Sequence, residues 1–140
     1  MAQMLTDLVL QYPERKEVQH IWAQYVLPLV LDSETRVQEK ALDSLDQLVL
    51  HSIVGVDSQL AWNLLDVITA MGFSVYVSKA IEMAARKQQL PSKLMRTLQS
   101  NIESRPQAAL TLMAIVSIFV PVENSIKVFF HSFIIIFLIV

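Results

Sequence analysis

The sequence predicts an all-α protein, an α-solenoid of stacked antiparallel helix pairs. Three observations lead there. Apolar residues recur at helical spacing along most of the chain. Proline, glycine and Asp/Ser turns interrupt that spacing at short intervals. No stretch combines strict apolar/polar alternation with hairpin-type turn dipeptides.

The clearest hairpin lies at residues 21–50. Leu27-Pro28-Leu29-Val30-Leu31 closes its first helix, and Asp32-Ser33-Glu34 makes the turn. Val37, Ala41, Leu45 and Leu48 then fall on one face of its second helix. A hairpin this small cannot bury its apolar face alone, so it needs neighbours.

Taken in order, residues 1–11 form the first expected helix, with Met4, Leu5, Leu8 and Val9 on one side. It starts on an apolar face with no N-cap before it, as in a segment that begins inside a larger array. Tyr12-Pro13 ends it, because proline disfavours helix at the preceding residue. Residues 14–31 follow, with Val18, Ile21, Trp22, Tyr25, Val26 and Leu29 as a broad inward stripe. Pro28 should cost that helix a hydrogen bond and bend its last turn. Asp32 or Thr35 should cap the next helix, with Thr35 and Gln38 spaced as a capping box. That helix should run to about Ile53 and stop before Gly55.

Asp57 is a candidate N-cap for a helix over 58–71 that presents Leu60, Ala61, Leu64, Leu65 and Ile68. Gly72 is the expected left-handed terminator. Residues 74–89 put Val77, Ala80, Ile81 and Ala84 inward. Pro91 suits the first turn of the next helix, in which Leu94, Leu98 and Ile102 repeat every four residues. Pro106 opens the last, over 107–120, apolar all round. Seven helices result. The expected pairs are 14–31 with 33–53, 58–71 with 74–89, and 92–103 with 107–120. Residues 1–121 thus form an incomplete helical-repeat array. Residues 122–140 are a hydrophobic tail outside the pattern, ending in thirteen residues without formal charge. As a helix those thirteen would span about 20 Å, short of a hydrocarbon core of about 30 Å. A tail foreign to the array is the simpler reading; a short membrane anchor is the alternative.

Composition narrows the chemistry. Of 140 residues, 54% are hydrophobic and 17% charged. Ordinary soluble domains carry about 25% charged residues, so much of this surface should be covered by other protein or by a membrane. The absence of cysteine excludes disulfides, thiolate metal sites and a cysteine nucleophile. Two glycines are too few for a Gly-rich phosphate loop. The N-terminus lacks the basic and apolar regions of a secretory signal.

His20, His51 and His131 lie far apart, and none has a partner at metal-ligand spacing. Glu39, Asp43 and Asp46 share a face opposite the apolar stripe, where solvated charge belongs. There is no Ser-His-Asp set and no convergent carboxylate pair, so the expectation is no enzyme, no cofactor and no metal. Net charge is −2, but residues 1–60 hold nine acids and four bases, whereas residues 61–105 hold three acids and six bases. Within the basic part, Lys79, Arg86, Lys87, Lys93 and Arg96 are candidates for contact with phosphate or an acidic partner. Trp22 and Trp62 read as core residues rather than binding hot spots.

Pair starts spaced by roughly 35–45 residues fit HEAT or armadillo repeats. The hairpin carries the fuller pattern: Trp22 on the first helix, then Pro28, Asp32, Val37, Ala41, Leu45 and Leu48 in order. This resembles a HEAT repeat, with proline late in the first helix, an Asp turn, and V-x-x-x-A-x-x-x-L-x-x-L in the second. It departs at Gln38, where HEAT repeats often place a basic residue; Arg36 stands on the other side of Val37. The wording HIWAQYVLPLVLDSETRVQEKALDSLDQLVLHSI, with LTDLVLQYPE before it and KAIEMAARKQQL after, is similar to the D-three-type family of larger non-SMC condensin II subunits. The likeness runs over roughly residues 4–120 and stops at the tail, as in a fragment or short isoform. It implies a scaffold in mitotic chromosome condensation, located in the nucleus on the chromosome. The implied partners are the kleisin and SMC subunits, with DNA or histones, and the ATPase belongs to the SMC partners.

Overall fold

The computed structural model describes residues 1–120, all of whose regular elements are helical. The helices are α1 (Ala2–Gln11), α2 (Lys16–Val26), α3 (Thr35–Leu45), α4 (Gln59–Ala70), α5 (Ser74–Arg86), α6 (Leu94–Ser100) and α7 (Pro106–Phe119). They stack as an α-solenoid around one continuous core that runs from Leu5 and Val9 through Trp22, Leu45 and Leu64 to Leu112 and Val116. Residues 122–140, and with them the tail and anchor expectations, lie outside the described residues. Among the described residues, no helix is long and apolar enough to cross a membrane.

The expected helix over 14–31 divides. Pro28 lacks the N–H that an α-turn would use, and the chain tightens into a 3-10 segment, Leu27–Leu31. The turn that follows is organised by Asp32. Its Oδ2 accepts the Glu34 N–H at 3.0 Å, while Glu34 takes the N-cap position of α3. The Thr35–Gln38 capping box does not form. Gln38 instead donates Nε2–H to the Val30 carbonyl at 2.8 Å, reaching back to the end of the 3-10 segment. After α3 the chain widens into a π-turn, Asp46–Leu50, which directs Leu48, Val49 and Leu50 all into the core. A short 3-10 turn, Ser52–Val54, leads out of it. Gly55 is extended, with φ −85° and ψ 179°, and is not a left-handed cap. Asp57 does not cap α4 either. Ser58 occupies that position with ψ 1°, and no side-chain cap bond forms there.

Two helix ends use the same device. After α4, the Phe73 N–H reaches the Ile68 carbonyl at 3.0 Å and the Gly72 N–H reaches Thr69 at 3.1 Å, with Gly72 at φ +72°. After α5, Gln89 and Gln88 repeat those bonds to Ala84 and Ala85 at 2.8 and 3.1 Å, with Gln88 at φ 55°. Both are Schellman closures, and the second places a side-chain residue in left-handed backbone.

Neighbours differ in part from the expected pairs. α3 packs on the Leu27–Leu31 segment and α6 packs on α7, as the pairing required. α4, however, packs chiefly on α2, the π-turn and α7. α5 packs on the 3-10 segment, α3 and α7. α1 covers α2 and α3.

Helical periodicity also overstates burial at several positions. The inward face of α2 is Gln19, Trp22, Ala23 and Val26. Ile21 and Tyr25 are 41% and 52% exposed, and Met4 on α1 is 65% exposed. Val37 is half-buried, whereas Ala41, Leu45 and Leu48 are buried as expected.

Among the described residues, three polar side chains are buried, Thr6, Gln19 and Ser44. Gln19 donates Nε2–H to the Pro13 carbonyl at 2.8 Å and so ties the α1–α2 turn down. Thr6, Ser44 and Trp22 form a directional chain. Thr6 donates its hydroxyl proton to the Ala2 carbonyl at 2.7 Å. Ser44 must then donate its own proton to Thr6 Oγ1, which leaves Ser44 Oγ to accept the indole N–H of Trp22 at 2.9 Å. One buried serine thus joins α1, α2 and α3.

Candidate functional site

The basic residues singled out from the sequence lie on α5, on the loop after it, and on α6. α5 forms because Val77, Ala80 and Ile81 give it a buried stripe, which leaves Lys79, Glu82 and Arg86 together on another face. Glu82 serves both cations: its Oε1 accepts from Arg86 at 2.8 Å, and its Oε2 lies 4.0 Å from Lys79 Nζ. Arg86 is 70% exposed, while the Lys79 and Glu82 side chains are only 29% and 26% exposed.

Lys87 caps α5 on the other side, and lines a small cleft with Asp43 and Asp46 of the α3 end. The carboxylate face of α3 and the basic end of α5 therefore meet. Asp46 also accepts His51 Nδ1 at 2.8 Å. Lys93, the N-cap residue of α6, and Arg96 within it are both exposed. Of the five candidate cations, Lys79 and Arg86 pair with Glu82, Lys87 lines the cleft with Asp43 and Asp46, and Lys93 and Arg96 stand further along the chain.

A larger cleft of about 390 Å³ lies between α2 and α4, lined by Lys16, Gln19, His20, Asn63, Asp66 and Val67 among others. Its Asp66 carboxylate is already paired. Arg105, at the start of α7, donates to Asp66 at 2.6 Å and to Asn63 at 3.1 Å. The His20 Nδ1 is taken by the Lys16 carbonyl at 2.9 Å. Arg15 pairs with Glu17 in the first turn of α2. A backbone hydrogen bond, then Arg15, hold the Glu17 carboxyl below the ordinary carboxylate range. Among the described residues, no group of three or more His, Asp or Glu side chains could hold a metal ion.

The two tryptophans are both buried, but their polar ends fare differently. Trp22 is satisfied by Ser44, and Trp62 Nε1 has no hydrogen-bond partner among the described residues. The double role of Glu82 was open to sequence reading from its i−3 and i+4 spacing to Lys79 and Arg86. The links of Ser44 to Thr6 and of Arg105 to Asp66 were not, because their partners lie 38 and 39 residues away.

No family model matches the chain, and no solved structure matches it. Two curated relatives do. Condensin-2 complex subunit D3-L of Xenopus laevis is 34% identical over 114 residues, as is condensin-2 complex subunit D3 of Mus musculus. In each case the match covers 74% of this chain and 8% of the relative. The chain is thus a stack of helices whose sequence resembles a short stretch of the D3 subunits of condensin-2.

Proposed function

We propose that the chain is a non-catalytic scaffold segment of a condensin-2 subunit, acting in mitotic chromosome condensation on chromosomes in the nucleus. The observation that carries this reading is the 34% identity over 114 residues to two condensin-2 D3 subunits. The stacked helices and their continuous core support it, because such arrays present long surfaces to partners instead of enclosing a reaction. Residues 1–121 act as an incomplete HEAT array with 122–140 outside it, and Pro28, Asp32, Val37, Ala41, Leu45 and Leu48 mark the best-formed repeat. The kleisin and SMC subunits are the proposed protein partners. The cations Lys79, Arg86, Lys87, Lys93 and Arg96 contact DNA phosphate, which requires only positioned Lys and Arg and no base reading.

The test is affinity purification of the tagged chain from mitotic extract. Recovery of SMC and kleisin subunits in proportion to the bait is the expected result. Their absence, with the bait folded and soluble, refutes the assignment.

A further inference from the structure

We infer that Glu82 is an internal competitor for phosphate, occupying between Lys79 and Arg86 the place that a DNA phosphate would take. This rests on the phosphate-contact reading above. The geometry carries it. One carboxylate accepts Arg86 at 2.8 Å with one oxygen and faces Lys79 at 4.0 Å with the other. Phosphate is recognised by the same pair of groups in the same arrangement, charge-assisted donors converging on adjacent oxygens. Partial burial of Lys79 and Glu82 keeps their pairing from being wholly screened, so it opposes an incoming anion more than a surface pair would. Lys87 shares the α3–α5 cleft with Asp43 and Asp46. The strip is therefore held to weak binding by its own carboxylates, and Glu82 is the residue that sets how many cations are free.

The experiment uses the full chain and a fluorescently labelled blunt DNA duplex, followed by anisotropy between about 50 and about 200 mM salt. Glu82→Gln keeps the shape and removes the charge. Binding should tighten by about threefold to tenfold, as expected for releasing two weak ion pairs. The salt dependence should steepen by up to about two phosphate contacts, each worth about 0.9 in the slope. Glu39→Gln on the exposed face of α3 makes the same change in net charge and should leave the slope where it was. Combining Glu82→Gln with Lys79→Gln and Arg86→Gln should abolish the gain.

If Glu82→Gln binds like the wild type, or its gain survives loss of Lys79 and Arg86, the competitor role is overturned. Loss of wild-type binding in Lys93→Gln/Arg96→Gln would uphold the phosphate reading even then. If neither wild type nor Glu82→Gln binds the duplex at low salt, both fall. Far-UV circular dichroism of each variant checks that α5 is intact.

Discussion

Ser44→Ala should be among the most damaging single-atom changes in the chain. The wild-type serine accepts the Trp22 indole N–H at 2.9 Å and donates to Thr6, all within the core. Removing the hydroxyl leaves Thr6 with its bond to Ala2 but strips Trp22 of its Ser44 acceptor. A buried donor without a partner costs about 1–3 kcal/mol, and loss of the Ser44–Thr6 bond adds about 1 kcal/mol. Relief from burying a hydroxyl offsets part of this, so the expected loss is about 2–3 kcal/mol. Urea unfolding followed by far-UV circular dichroism measures it, with the m-value serving as a check on unchanged compactness. The same substitution in a Trp22→Phe background should cost about 1–2 kcal/mol less, because no indole N–H is then orphaned. A Ser44→Ala loss under about 0.5 kcal/mol, or one that is equal in both backgrounds, would show that the hydroxyl chain does not hold α1, α2 and α3 together.

The two Schellman closures give opposite expectations. Gln88→Gly should stabilise the fold by about 0.5–1 kcal/mol by relieving left-handed backbone at φ 55°. Gly72→Ala should cost about 1 kcal/mol through backbone strain alone, since a Cβ there meets nothing within 4 Å. Thermal melts of both variants decide it, and the same sign for both would refute the strain argument. Trp62→Phe should change stability by less than about 1 kcal/mol, because the lost ring area is offset by removal of an unpaired N–H. A loss above about 2 kcal/mol by urea titration would mean that the indole nitrogen has a partner.

Helix number and type were legible because periodicity reports amphipathic faces directly, as at Leu94, Leu98 and Ile102, of which all three are buried. What periodicity cannot report is the width of the covered face. Ile21 and Tyr25 belong to the α2 stripe in sequence, but lie beyond the reach of its neighbours. Nor does it register polar residues that turn inward. Thr6, Gln19 and Ser44 find their partners only once separate helices have packed. Local turn chemistry was half legible. Pro28 announced a disturbance, yet whether Gln38 would cap α3 or reach back to Val30 depended on where the 3-10 segment left its last carbonyls. The basic strip was visible as composition. The pairing of Lys79 and Arg86 with Glu82 follows from spacing along α5, whereas the approach of Lys87 to Asp43 and Asp46 required the meeting of α3 with α5.

The π-turn after α3 has a wider consequence. In an ordinary helix, consecutive side chains fan outward at about 100° steps, so three in a row cannot all face one neighbour. Leu48, Val49 and Leu50 are all buried because this turn is enclosed on several sides, by α3, α4 and the Ser52–Val54 turn. It works as an axle between the acid-rich first part of the chain and the base-rich second part. Those two parts share a single interior there, and a change of shape at Val49 would be transmitted to both.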